Sequence, residues 1–302
     1  MTLLTVYDGA NAHRDDYREC VRSDNDTWDI NSSVGVTALA VAACRVGESA
    51  APDSLVSDPF AAAFIAVAAA SPHYPDGYQS LAAQLRPYLG ARTRFFDEFF
   101  ADAASAGIEQ AVILASGLDA RPWRTTMPAR TFEIDLPLVL EFKQRVLHDA
   151  GATPRTEHSP IGIDLREDWA TALTEAGFSP KLRTAWLAEG LLPFLPAAAQ
   201  EGLFAVVDEL SAPGSVIAAE EFLETMRKLT SSPVIAEAVD KLGVDVPDLI
   251  FDEDAVDAAA WFTEHDWSTR ELTAVDGAAG YGRTFADDMP LKHAFWVTAT
   301  KR

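Results

Sequence analysis

Up to about residue 107 the apolar positions of the chain recur at helical spacing, and from Gln110 onward they gather into short runs closed by polar or glycine-containing turns. The early part predicts a helix through Ala43 capped by Ser32 or Ser33, and a second opened by Asp58-Pro59 that runs to Ala70. A Pro, Asp and Gly-rich loop over 71–77 precedes helical stretches from Tyr78 and over Arg92 to Ala104, where Phe95-Phe96 and Phe99-Phe100 read as core. The later part predicts strands at Ala111 to Ser116, Arg130 to Asp135, Glu157 to Ile163, Arg183 to Ala188 and Ser215 to Glu220. Helices over Leu138 to Ala150, Asp168 to Ala176 and Ala197 to Leu210 fall between them, which is the alternation of a parallel sheet.

After Glu221 a polar, acidic segment to about Trp261 reads as an insertion. Arg270 to Val275 and His293 to Thr300 are closing strands, and the Gly-rich stretch Asp276 to Gly282 predicts a loop joining them as an antiparallel hairpin at the sheet edge. The expected organisation is a helical cap over residues 1–107 and an α/β domain over 108–302, with a lid insertion at about 222–264. A length of 302 residues suits one large sheet with an appended helical part.

Composition changes this picture little, but charge narrows the partners. A formal net charge of −22 repels polyanions, so nucleic acid is not expected as a partner. Cys20 and Cys44 are the only cysteines and neither makes a C-x-x-C, which argues against a disulfide framework or a zinc site. The N-terminus lacks a signal-peptide pattern and the apolar stretch Pro59 to Ala70 is too short to span a bilayer; a cytoplasmic protein with no membrane partner is expected. The six histidines are scattered, and neither H-E-x-x-H nor G-x-S-x-G occurs.

Ligands of an open parallel sheet sit beyond the C-terminal ends of its strands, so those ends carry the candidate chemistry. At Ser116-Gly117-Leu118-Asp119 one glycine allows close approach of a ligand, whereas a dinucleotide turn uses three. Asp119 would repel a pyrophosphate and accept an ammonium; it could equally pair with Arg121 or Arg124. Asp135 follows Gly117 by 18 residues, near the spacing at which an acid meets a ribose diol, although it could instead cap the next helix. Glu133 is a rival that lies within the strand rather than at its tip. Asp164, followed by Leu165, could accept from an adenine amine or, with Glu167, form a capping box. Glu189, between an apolar strand and Gly190, is a site candidate or a partner for a basic side chain.

Taken together, these ends resemble the leucine carboxyl methyltransferase-like group of class I S-adenosylmethionine-dependent methyltransferases, in particular its actinobacterial branch. The matching stretches are 112–121, Phe132-Glu133-Ile134-Asp135, 164–169 and 186–192, with upstream matches at 32–35, 58–61 and Arg92-Thr93-Arg94-Phe95-Phe96-Asp97. The resemblance implies a Rossmann-like seven-stranded, mostly parallel sheet with one antiparallel strand and an N-terminal helical cap. It also implies S-adenosyl-L-methionine as cofactor. Asp135 would then bind the ribose hydroxyls, Asp164 and Leu165 the adenine, Gly117 the cofactor backbone and Arg94 the methionine carboxylate, with Glu189 a further contact. Where many relatives carry a tyrosine this chain has Phe194, which offers no hydroxyl.

The implied activity is methyl transfer, as O-methylation of a small-molecule carboxylate or hydroxyl. A carboxylate acceptor needs no general base, and a hydroxyl acceptor needs one. Two alternatives stand beside it: an NAD(P)-dependent oxidoreductase, against which the missing glycines weigh, and a module that binds S-adenosylmethionine without catalysis.

Overall fold

The computed structural model describes residues 30, 34–75, 77–222, 251 and 255–302. Its cap consists of α1 (Val34–Ser49), α2 (Ala61–Ala68) and α3 (Tyr78–Ser105), the last one continuous helix through Pro87. Asp58 opens α2 as expected, its Oδ1 accepting the N–H groups of Phe60 and Ala61 at 3.0 and 3.1 Å. Ser32 and Ser33, the expected caps of α1, lie outside the described residues.

Five strands follow with their helices: β1 (Gln110–Leu114), α4 (Arg121–Arg124), β2 (Arg130–Asp135), α5 (Pro137–Asp149), β3 (Glu157–Gly162), α6 (Trp169–Glu175), β4 (Thr184–Ala188), α7 (Ala197–Glu209) and β5 (Val216–Glu221). The chain closes with α8 (Ala258–Glu264), β6 (Trp267–Thr273), α9 (Ala274–Gly280) and β7 (Phe295–Lys301). The sheet has seven strands in the order β3-β2-β1-β4-β5-β7-β6, and β7 alone runs antiparallel to its neighbours. This is the class I methyltransferase arrangement that the resemblance implies.

The central strands β1 and β4 are buried along their whole length, which is why they read as unbroken apolar runs. Alternate residues serve two cores. Ala111, Ile113, Ala185, Leu187 and Ala218 pack beneath the cap helices and α5, while Val112, Leu114, Trp186, Ala188 and Ile217 pack against α6, α7 and α8. Cap and sheet therefore share one core.

One expectation needs correction. The Gly-rich stretch between the closing strands is largely the helix α9, opened by Thr273, whose side chain accepts the Asp276 N–H at 3.1 Å. Gly277 serves packing rather than loop freedom: a Cβ there would lie 2.2 Å from the Trp296 ring. The hairpin partners are antiparallel as expected, but β7 inserts between β5 and β6, which leaves β6 as the edge. Most of the segment read as a lid lies outside the described residues. Among the described residues no helix is long and apolar enough to cross a membrane.

Candidate active site

The parallel register places the strand tips on one level. Leu114 pairs with Ile134, Asp135 with Gly162, Ile113 with Leu187 and Ala188 with Ala219. One step further along, Asp135, Ala115, Glu189 and Glu220 stand side by side across the C-terminal edge. Asp135 and Glu189 are two strands apart, a separation of roughly 10 Å at ordinary strand spacing.

At the tip of β1 the backbone turns through Ala115 at φ 49° and Gly117 at φ 47°. A left-handed alanine is costly, by about 1–3 kcal/mol, and such strain persists only where the surroundings hold it. Here Asp135 holds the turn, accepting the Gly117 N–H at 2.6 Å on Oδ2 and the Leu136 N–H at 2.7 Å on Oδ1. Burial pushes the Asp135 carboxyl above its usual range against the pull of these two N–H groups. Each oxygen keeps acceptor capacity after one bond. The rival Glu133 is committed elsewhere: it is fully buried, 3.0 Å from Lys143 Nζ and 2.8 Å from His158 Nε2. Lys143 in turn donates to Ser116 Oγ at 3.0 Å and to the Asp119 carbonyl at 3.2 Å, supporting the glycine turn from below.

The β4 tip is held by arginines of the cap and of α4. Glu189 lies 2.7 Å from Arg121 Nη1, 2.9 Å from Arg92 Nη2 and 3.8 Å from Arg45 Nη2, all in buried positions. Burial alone would raise the Glu189 carboxyl, but Arg121, Arg92 and Arg45 outweigh it and hold the group below its usual range. Asp119 is taken by Arg121, through both its N–H at 2.8 Å and its Nη1 at 2.5 Å, which is one of the pairings its sequence context allowed. Asp97 completes the lattice with Arg121 at 2.7 Å and Arg124 at 2.6 Å. Among the described residues, Arg45 Nε and Arg92 Nε are buried without a hydrogen-bond partner, whereas Glu189 Oε1 is held by its ion pair with Arg92 Nη2 at 2.9 Å.

Asp164 follows the β3 tip and is partly exposed. It does not cap α6, because Asp168 does so by accepting the Thr171 N–H at 3.1 Å. Burial would raise the Asp164 carboxyl, yet bonds from the Arg166 backbone and guanidinium, both at 2.9 Å, bring it below its usual range. Leu165 is half-buried beside it.

Arg94 is not brought to this edge. Its side chain is 46% exposed and pairs with Glu98 one turn along α3 at 2.7 Å. Glu98 lines a separate cleft of about 550 Å³ against β6, β7 and α9, with Phe95, Phe99, Leu272, Tyr281 and Trp296. Arg92, two residues earlier, is the arginine of α3 that reaches the strand tips. Helical geometry turns residues two apart to different faces, so Arg92 and Arg94 do not both meet the strand tips.

Beyond the β5 tip the carboxylates of Glu221, Asp257 and Glu271 offer oxygens within 4.8 Å of one another. Burial beneath α8 pushes the Glu221 carboxyl up to about 7, despite the bond it accepts from the Ala258 N–H. A carboxyl raised in the fold costs stability once it must ionise, so this cost grows as pH rises from about 4.5 to about 7. Glu221→Gln should therefore stabilise the protein at pH 8 by about 2 kcal/mol, with the gain vanishing near pH 4.5. Thermal unfolding of both proteins across this range checks it; a gain independent of pH contradicts the assignment.

The leucine carboxyl methyltransferase family model matches residues 38–208. A Rhodococcus jostii protein named "Putative S-adenosyl-L-methionine-dependent methyltransferase" is 46% identical over 276 residues, covering 88% of this chain and 94% of its own. A Mycobacteroides abscessus protein of the same name is 44% identical over 290 residues, covering 92% and 96%. The crystal structure of a DUF574 family protein from Streptomyces avermitilis shares the fold, with a TM-score of 0.52 at 14% identity over 86% of this chain and 97% of that one. The chain belongs to the leucine carboxyl methyltransferase family, whose members are S-adenosylmethionine-dependent methyltransferases.

Proposed function

We propose that this edge holds S-adenosylmethionine and that the protein transfers its methyl group to an oxygen of a small acceptor, a carboxylate or a hydroxyl. The observation that carries the reading is the pairing of two unlike acceptors on one edge. Asp135 suits a diol, and at the β4 tip two strands away Glu189 meets Arg92 of α3 as an opposite charge, with Arg92 Nε buried and without a hydrogen-bond partner. A nucleoside bearing a zwitterionic amino acid matches both ends. Gly117 would lie against the cofactor through its backbone, and Asp164 with Leu165 would meet the adenine. Arg92 takes the role that the resemblance gave to Arg94, binding the methionine carboxylate, while Glu189 receives the ammonium.

When bound, the cofactor supplies an electrophilic methyl on a sulfonium. The protein's part is to align the acceptor and exclude water, since in-line displacement needs little covalent help. The net charge of −22 supports a small acceptor over nucleic acid, and the sparse cysteines support work in the reducing cytoplasm.

Calorimetry with S-adenosylhomocysteine tests the assignment. Arg92→Lys should weaken binding by about tenfold, because a lysine cannot reproduce the guanidinium fork, whereas Arg94→Ala should bind like the parent. Loss with Arg94→Ala alone would return the role to Arg94. Formation of S-adenosylhomocysteine with a defined acceptor separates an enzyme from a binding module.

A further inference from the structure

Glu220 is a carboxylate on β5, an interior strand, and it is fully buried. Strand alternation puts it on the face of Ala218, towards the cap, while Glu221 points to the opposite face beneath α8. Burying a charge there costs several kcal/mol unless it is paired and hydrogen-bonded. It is both. Tyr88 donates its hydroxyl to Oε1, Arg92 Nη1 reaches the two oxygens at 3.2 and 2.9 Å, and the Gly190 N–H donates to Oε2 at 2.9 Å.

These donors come from two places that the site requires in register. Tyr88 and Arg92 lie one turn apart on α3, so a single carboxylate meets both. Gly190 follows Glu189 directly and turns the chain at φ 67°, so a bond to its N–H fixes the peptide that carries Glu189 off the sheet. By engaging Nη1, Glu220 also sets the plane of the Arg92 guanidinium, leaving Nη2 on Glu189 at 2.9 Å and Nε without a partner. Stability alone does not call for such a group, since a well-packed apolar substitute for a buried ion pair is often as stable.

We propose that Glu220 is a positioning residue: it orients Arg92 and the Glu189-Gly190 peptide for the amino-acid end of the cofactor without touching the cofactor. This rests on the roles given above to Arg92 and Glu189. Burial raises the Glu220 carboxyl, and Arg92, with the Tyr88 bond, opposes that rise. Arg92 and Glu220 thus act as a unit.

The test is S-adenosylhomocysteine calorimetry, alongside thermal unfolding, on the parent, Glu220→Gln, Tyr88→Phe, Arg92→Lys and the double variant Glu220→Gln with Arg92→Lys. Glutamine keeps the shape but turns an amide nitrogen towards a donor, so affinity should fall by about tenfold; Tyr88→Phe removes one restraint and should cost about threefold. Because Glu220 acts through Arg92, its replacement should cost little further affinity in the Arg92→Lys background. Parental affinity in Glu220→Gln and Tyr88→Phe, with only the melting temperature lowered, would overturn the proposal. So would two affinity losses that simply add. Should Glu220→Gln fail to fold, Tyr88→Phe decides. Failure of the parent itself to bind S-adenosylhomocysteine would instead sink the cofactor reading on which the proposal rests.

Discussion

Asp135→Ala is expected to weaken S-adenosylhomocysteine binding by at least about tenfold, and by several hundredfold if both ribose hydroxyls donate to it, since charge-assisted bonds contribute about 1.5–3 kcal/mol each. The carboxylate also accepts the Gly117 and Leu136 N–H groups, so its removal frees the glycine turn as well as deleting the ligand contact. Asp135→Asn separates the two effects. Its amide oxygen can still accept one N–H, while the charge that strengthens a hydroxyl bond is gone; it should lose less stability than the alanine variant but most of the affinity. Calorimetry with circular dichroism on both variants reads this out. Because burial raises the Asp135 carboxyl, parental affinity should also fall on acidification at a higher pH than an ordinary aspartate would give. Undiminished affinity in a folded Asp135→Asn would discard the ribose role.

Lys143→Met should destabilise the protein by about 3–5 kcal/mol, because it strands Glu133 as an uncompensated buried charge. Both side chains are fully buried at 3.0 Å, and His158 is the other close partner of Glu133. For a chain of this size the loss corresponds to a fall of about 10 °C in melting temperature. Adding Glu133→Gln to Lys143→Met should restore much of it, since the charge is then gone from both sides. The single variant should also bind S-adenosylhomocysteine less well, as Lys143 holds Ser116 Oγ and the Asp119 carbonyl under the glycine turn. A loss below about 1 kcal/mol would show that the pair is not the uncompensated kind.

The inner strands were legible because they are buried on both faces: Arg130 to Asp135 is β2 residue for residue, and the other four parallel strands, the more exposed edge β3 among them, shift by one or two residues at their ends. The closing pair was legible as antiparallel, but its connection was not. Ala and Gly in 274–280 suggested a loop, and the close approach to Trp296 that makes Gly277 useful in a helix is a tertiary fact. At the candidate site, the acids were legible as strand-tip residues because strand tips can be counted. Of the arginines, Arg121 and Arg124 were legible as partners for Asp119, whereas Arg45 and Arg92 were not, because they come from cap helices whose facing depends on how the cap docks. That is why the sequence does not single out Arg92 beside Arg94, and why Glu220 reads as the last residue of an ordinary strand.

The sheet's two outer strands bear on how the protein behaves in concentrated solution. On β3, Pro160 pairs with Glu133, and a proline is tolerated in a sheet where its nitrogen faces away from the neighbouring strand, so the outward row lacks a donor at its middle. On β6, Arg270 and Glu271 project as exposed charges. Neither border offers an uninterrupted apolar template for a strand from another molecule. Self-association by sheet extension is thereby opposed at both ends, and a sample should remain monodisperse through repeated concentration even though the sheet does not close on itself.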